Sequence, residues 1–214
     1  LGVFCMRVNL EQLHETLEHG QPTLMDSTGR YAVLVPMVEE TDGSLSLLYE
    51  VRAGTLRRQP GEVCFPGGRI EGDETSDQCA LRETFEELAI PAEEVQLLGP
   101  LDFLVHRAGF IMYPVLGKVS RAGAAQMRPS PAEVGGVFRV PLEHLLEHPP
   151  MEYRCELSPK VGEDFPYERI GIPRSYRWMP GGETILVYPW KDHAIWGLTA
   201  KITRCLIRFL KEQG

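Results

Sequence analysis

Between Gly68 and Glu87 the acidic residues are spaced in a pattern. Glu74 follows Gly68 after five residues, Arg82–Glu83 follow after seven more, and Glu86–Glu87 close the run. On a helix, Glu83, Glu86 and Glu87 (i, i+3, i+4) fall within about 100° of one another. Such an acid face is ordinarily a solvated one. Three like charges so placed nevertheless repel, by a few tenths of a kcal/mol per pair (~0.2–0.5), so an unselected surface alternates signs more often. A hard divalent cation reverses that penalty: Mg²⁺ takes carboxylate and water oxygens and bridges to substrate phosphates. Gly67 and Gly68, in the turn ahead, let the backbone approach the same ion and phosphate closely. The chemistry these residue types suit is metal-assisted reaction at a phosphate.

The full pattern, G-x5-E-x7-RE-x2-EE, fixes six positions, and a chance match in a chain of this length has odds of about one in 10⁵. It resembles the Nudix box, the signature of hydrolases that cleave a nucleoside diphosphate linked to another group. Gly68, Glu74, Arg82, Glu83, Glu86 and Glu87 all fall on motif positions. The resemblance implies that Arg82 pairs with Glu74 to hold the loop, that Glu83 and Glu87 are the principal ligands of Mg²⁺ or Mn²⁺, that Glu86 assists through metal or water, and that Gly68 lies at the metal. Two positions depart from the pattern. Thr84 stands where a larger aliphatic is usual, and Ala89 where glycine normally closes the helix, which would force an alanine to φ > 0 at about 1 kcal/mol.

Upstream, "LYEVRAGTLRRQPGEVCFPGG" is similar to the motif LLTxR[SA]x3Rx3Gx3FPGG of the coenzyme A pyrophosphatases within the Nudix family. Arg52, Ala53, Arg57, Gly61 and Phe65–Gly68 match, while Tyr49 and Glu50 replace the expected Leu-Thr. This likeness implies cleavage of the diphosphate of coenzyme A, or its acyl derivatives, to 3′,5′-ADP and 4′-phosphopantetheine or its acyl form. Arg52, Arg57 and Arg58 precede the acid loop in an acidic protein, and guanidinium forks suit the oxygens of an extra 3′-phosphate. The segment "PAEVGGVFRVPLEHLL" resembles the subfamily's segment after the box and offers Glu133 as a distal acid. "YPWKDHAIWGLTAKIT" resembles its C-terminal helix. The general base is left among Glu86, Glu133 and metal-bound hydroxide, and His106 and His193 read as structural. The rival readings are an ADP-ribose or other nucleoside diphosphate hydrolase, and a silent nucleotide-binding sensor, although all four box glutamates stand.

These residues need a scaffold. "YAVLVPMVEE" and "SLSLLYEVR", joined by "TDG", read as a β-hairpin, and Gly54–Gly72 as loop with a short strand near Glu62–Phe65. Thr75 with Gln78 forms a capping-box signature opening a helix that runs to Leu88. Its apolar stripe is read as Leu81, Phe85 and Leu88, with the acids opposite. Helical spacing appears over Val8–Glu18. Strands are expected near Val95–Leu98, Leu101–Val105, Ile111–Val119 and Val134–Val140, then a short helix at Leu142–Glu147. "ETILVYPW" reads as a last strand, before a terminal helix whose core face carries Ile195, Leu198, Ile202, Cys205, Leu206 and Phe209. Pro149–Gly182 reads as a family-divergent excursion or lid. The expected fold is an α/β/α sandwich on a mixed β-sheet, with one domain over residues 1–214 carrying the acids on a loop-helix.

A net charge of −8 argues against a sequence-independent nucleic-acid binder. No apolar run approaches the ~20 residues of a membrane span. The five cysteines show no CxxC pair and read as reduced packing residues. Met6 is a candidate start residue, a cytoplasmic location and a small-molecule substrate are expected, and a homodimer is left open.

Overall fold

The computed structural model describes residues 9–20 and 23–213; Cys5, Met6 and Val8 lie outside them. Strand β1 (Gly29–Glu39) organises the molecule, and residues 32–38 are buried without interruption. The two-residue period sends Val33, Val35 and Met37 to one core and Ala32, Leu34 and Val38 to the other, so the run has no polar alternation because both of its faces are covered. β7 (Phe110–Val119) lies parallel to β1 along its whole length, from Gly29 opposite Phe110 to Val38 opposite Val119.

On its other side β1 has two partners. β2 (Leu45–Arg52) pairs antiparallel at the far end, with Met37 opposite Leu47, and β4 (Gly67–Arg69) pairs at the near end, with Val33 opposite Gly67. The two long strands diverge between these points. The short β3 (Val63–Cys64) and the following turn fill the gap, with Leu34 N–H donating to Pro66 O at 2.9 Å. β5 (Val95–Pro100) and β6 (Leu104–His106) pair with β7, and β8 (Val134–Pro141) with β2, completing a mixed eight-stranded sheet. This geometry sets the glycine turn edge-on in the sheet.

Helix α2 (Ser76–Leu88) and the short α3 (Arg121–Gln126) cover one face. The short α4 (Leu142–Glu147) and the long α6 (Gly197–Gln213) cover the other, giving the expected α/β/α sandwich. Tyr49 Oη and Thr203 Oγ1, both buried, lie 3.0 Å apart and fix α6 against β2. α1 (Leu10–His19), capped by Asn9, buries none of its residues. Among the described residues no helix is long and apolar enough to cross a membrane.

The Pro149–Gly182 segment is not an unpatterned excursion. It contains β9 (Met151–Leu157), which pairs antiparallel with β10 (Gly181–Trp190), so the segment is a hairpin whose long connection carries the one-turn α5 (Tyr167–Ile170). With β11 (His193–Trp196) these strands form a second, three-stranded sheet. Ile195 therefore belongs to a strand and not to the terminal helix, although it is fully buried in the same core as Ile202 and Leu206. The strand expected over Leu101–Val105 begins three residues later, at Leu104.

Candidate active site

α2 starts where its capping box directs. Gln78 N–H donates to Thr75 Oγ1 at 3.2 Å and Thr75 N–H to Gln78 Oε1 at 2.8 Å. At the other end Ala89 sits in the left-handed region (φ 55°, ψ 33°), as its place in the pattern implied. The last carbonyls of a helix need donors from outside it. Arg128 N–H and Ser130 N–H supply them, to Leu88 O at 2.8 Å and Glu87 O at 2.7 Å. That docking carries the chain to Glu133, whose own carbonyl accepts from Ala53 N–H at the end of β2 at 2.8 Å. A residue 46 positions beyond Glu87 in the sequence is thus pinned to the end of its helix.

The buried face of α2 differs from the expected stripe. It carries Cys79, Ala80, Thr84, Glu87 and Leu88, while Phe85 is 56% exposed. The helix is turned by about one residue, roughly 100°, from its most apolar setting. Glu87 consequently lies within the packed face and Glu83 at its edge instead of opposite it, and Glu86 alone of the three points outward. Thr84 is fully buried where a larger side chain was expected, and its hydroxyl donates to Ala80 O at 2.7 Å, so the polar atom is satisfied.

Arg82 is the hub of the acids. Its Nε and Nη2 reach the two oxygens of Glu74 at 2.9 and 3.1 Å, a bidentate fork. Its Nη1 donates to Glu83 Oε1 at 2.8 Å and Glu86 Oε2 at 3.2 Å, and its Nη2 to Arg69 O at 3.1 Å. The guanidinium holds the Glu74 carboxyl down to about 2. Two glycines make the turn possible. A Cβ on Gly67 would lie 2.4 Å from Ala32 O and is excluded by that backbone, while one on Gly68 would lie 2.1 Å from Glu83 Oε1 and would displace the carboxylate. Gly67 N–H instead donates to Glu87 Oε2 at 2.8 Å.

Glu83, Glu87 and Glu133 open with Gly67 and Gly68 into one cavity of about 730 Å³. Arg52 and Arg58 line it; Arg57 is exposed and does not, and neither do Glu74, Arg82 and Glu86. The second sheet and α6 supply the opposite wall through Cys155, Glu183, Ile185, Trp196, Leu198 and Lys201. Sequence reasoning missed that wall. The strict alternation of apolar and polar residues in "MEYRCEL" was the available signal for its β9.

Burial, with the mutual repulsion of Glu87, Glu83 and Glu133, pushes the Glu87 carboxyl up, and burial likewise raises Glu83 despite its bond to Arg82. Arg52 partly offsets the rise at Glu87. Hard oxygen donors crowded in a desolvated pocket fit a divalent cation. Glu83, Glu87 and the Gly68 carbonyl would hold it. Among the described residues no three His, Cys, Asp or Glu side chains stand close enough together to hold a metal ion between them, and Glu83 is engaged by Arg82.

A capped helix behind a glycine turn thus sets carboxylates toward a cavity with arginines on its wall, and a known family is built on that frame. The chain is a member of the Nudix hydrolase family: the NUDIX domain matches residues 28–155. Among curated relatives, Nudix hydrolase 3 of Caenorhabditis elegans is 39% identical over 124 residues, 57% of this chain and 51% of that one. The peroxisomal coenzyme A diphosphatase NUDT7 of Mus musculus is 37% identical over 140 residues, 65% of this chain and 57% of that one. The chain thus spans little more than half the length of these two. The mitochondrial coenzyme A diphosphatase NUDT8 of Mus musculus is 33% identical over 183 residues, 84% of this chain and 77% of that one. Enzymes built on the Nudix box generally require a divalent metal.

Proposed function

We propose that the chain hydrolyses the diphosphate of coenzyme A or its acyl derivatives to 3′,5′-ADP and 4′-phosphopantetheine or its acyl form, with Mg²⁺ or Mn²⁺ as the ion. The observation that carries this reading is that one continuous cavity joins three sets of groups: the carboxylates of Glu83, Glu87 and Glu133, the guanidinium groups of Arg52 and Arg58, and an apolar stretch through Met112, Ile185, Trp196 and Leu198. A coenzyme A substrate presents a matching series: a diphosphate, a phosphorylated nucleoside and a long arm of mixed polarity. Two relatives named as coenzyme A diphosphatases add support.

The bound ion would neutralise charge on the diphosphate and acidify the attacking water. The chain does the positioning. Arg82 fixes Glu74, Glu83 and Glu86, and Gly67 N–H orients Glu87. Of the two glutamates considered as base, Glu133 faces the cavity while Glu86 is turned to Arg82, so Glu133 is assigned to take the proton from water. Arg52, whose charge reaches Glu87, is assigned to the diphosphate. The 3′-phosphate falls to Arg58, which replaces Arg57 in that role because Arg57 is off the cavity.

The test is product identification by mass spectrometry after incubation with Mg²⁺ and coenzyme A, 3′-dephospho-coenzyme A or ADP-ribose. Coenzyme A should be cleaved fastest. Arg58→Ala should lower kcat/KM for coenzyme A by a charge-assisted bond, on the order of 2 kcal/mol, and leave the 3′-dephospho compound nearly untouched. Faster cleavage of ADP-ribose than of coenzyme A would overturn the assignment.

A further inference from the structure

Behind the cavity wall stands a carboxyl that the Nudix box does not account for. Glu50 lies on β2 directly opposite Cys64 of β3, where the upstream motif leads one to expect threonine. The residue is 1% exposed. Its Oε1 has no hydrogen-bond partner among the described residues, and its Oε2 accepts only a long contact from Cys64 Sγ at 3.9 Å. A buried carboxyl left in that state is costly unless something compensates it.

The groups around it narrow what that compensation is. Burial first, and then the neighbouring Glu87, disfavours the charged form of Glu50, while Arg52, two residues on and so on the same face of β2, offsets this only in part. Glu87 is itself 7% exposed, and one of its oxygens is committed to Gly67 N–H. Among the described residues neither Glu50 nor Glu87 has a basic side chain within ion-pair distance. By contrast Glu83 and Glu86 are both held by Arg82. The acid centre therefore has an outer pair of carboxylates neutralised by arginine and an inner pair, Glu50 and Glu87, that has no such partner. The donor set of the inner pair is all hard oxygen, and the softer Cys64 thiol is held off at the edge.

We infer that Glu50 is an additional ligand of the divalent-metal centre, acting with Glu87 on the ion from the inner side. The inference rests on the reading of Glu87 as a metal ligand. It assigns a metal-binding role to a residue outside the box and explains why a buried, unpartnered glutamate is tolerated where threonine would pack without charge.

The measurement is Mn²⁺ binding to the full chain, followed by electron paramagnetic resonance and by calorimetry, for the unaltered protein and for Glu50→Gln, Glu50→Asp, Glu50→Thr and Glu87→Gln. Glu50→Gln keeps shape and removes the charge, so Mn²⁺ affinity should fall tenfold or more, or one ion should be lost from the stoichiometry. The metal-free melting temperature should hold or rise, because a buried unpaired acid has been removed. Glu50→Asp should retain part of the affinity, and Glu50→Thr, which restores the motif residue, should behave as Glu50→Gln does and guards against misfolding of one variant. Isotherms of Glu50→Gln and Glu50→Thr that superimpose on that of the unaltered chain, with Glu87→Gln impaired, would overturn the role of Glu50 alone. If the unaltered chain takes up no Mn²⁺, or Glu87→Gln binds it normally, the underlying reading of Glu87 fails first and takes this one with it.

Discussion

The two walls of the cavity are held by different means. On the α2 side the contacts are close in sequence: Arg82 reaches Glu74 eight residues back and Glu86 four residues on, and Glu87 reaches Gly67 twenty residues back. On the opposite side Glu183 of β10 is bridged to Arg107, from the β6–β7 turn, at 3.5 Å and to Lys201 of α6 at 3.1 Å. Those three residues come from elements that meet only when the second sheet has packed. The first wall is buried, glycine-tight and forked; the second is a chain of partly exposed pairs, with the Arg107 side chain 58% exposed. On the function proposed above, chemistry is built into the first wall, while the second shapes the space for the substrate's arm.

The largest expected break falls on the first wall. Glu87→Gln preserves an amide oxygen that can still accept from Gly67 N–H, so the fold should persist, while loss of a ligand charge should lower Mg²⁺-dependent turnover at least a hundredfold, about 2.7 kcal/mol in the barrier. The comparison is made by steady-state kinetics beside a thermal melt. Near-normal turnover would mean that this wall does not carry the metal.

The same wall should give the protein an unusual response to pH. Burial raises the Glu50, Glu83 and Glu87 carboxyls, so the folded chain keeps protons that the unfolded chain gives up near pH ~4.3. Stability from this source is full below that pH and is lost as pH rises through the raised folded values. Glu74, held low by Arg82, acts in the opposite sense, its contribution disappearing only as pH falls toward about 2. In chelator, stability should therefore fall with rising pH above about 4.3. Mg²⁺ at a hundred times its Kd should restore about 2.7 kcal/mol. Urea titrations across this range decide it, and equal shifts from Mg²⁺ and from monovalent salt at matched ionic strength would reduce the effect to screening.

The difference between the walls is also a difference in what could be read from the chain. The capping box at Thr75–Gln78, the Arg82–Glu74 pair and the left-handed Ala89 depend on neighbours a turn or two away, and each was legible. The setting of α2 was not. Apolarity favours burying Leu81 and Phe85, yet the packed helix buries Glu87 and exposes Phe85, because the Gly67–Gly68 turn and the Arg128–Ser130 docking fix its rotation from outside. Glu50 was visible as a departure from a motif, but only the pairing of β2 with β3 sets it opposite Cys64 of the cavity wall. β9 was hidden by the Pro and Gly around it, although its own alternation was regular.

A smaller effect is expected at the second wall. Glu183→Gln removes two ion pairs, one of them to a largely exposed arginine, so the stability cost should stay below about 1 kcal/mol. Mn²⁺ affinity should not change, and kcat/KM for coenzyme A should change by less than about tenfold, or ~1.4 kcal/mol. A loss of turnover comparable with that of Glu87→Gln, at unchanged metal affinity, would erase the distinction between the walls and make Glu183 part of the reaction.

The smallest expected effect tests whether the end of α2 is strained to hold Glu87 and Glu133 together. Ala89 occupies φ 55°, ψ 33°, where a Cβ costs about 1–2 kcal/mol. Glycine removes that cost but gives the unfolded chain more freedom, worth about 0.5–1 kcal/mol. The difference leaves Ala89→Gly more stable by roughly 0.5 kcal/mol, read as a small rise in the urea midpoint with an unchanged slope. Ala89 N–H donates to Phe85 O at 2.8 Å, and Arg128 and Ser130 cap the two preceding carbonyls, so the turn has its hydrogen bonds whichever residue stands there. Turnover should therefore be unchanged. A fall in kcat with higher stability would mean that the alanine's strain contributes to placing Glu133 against the acid helix.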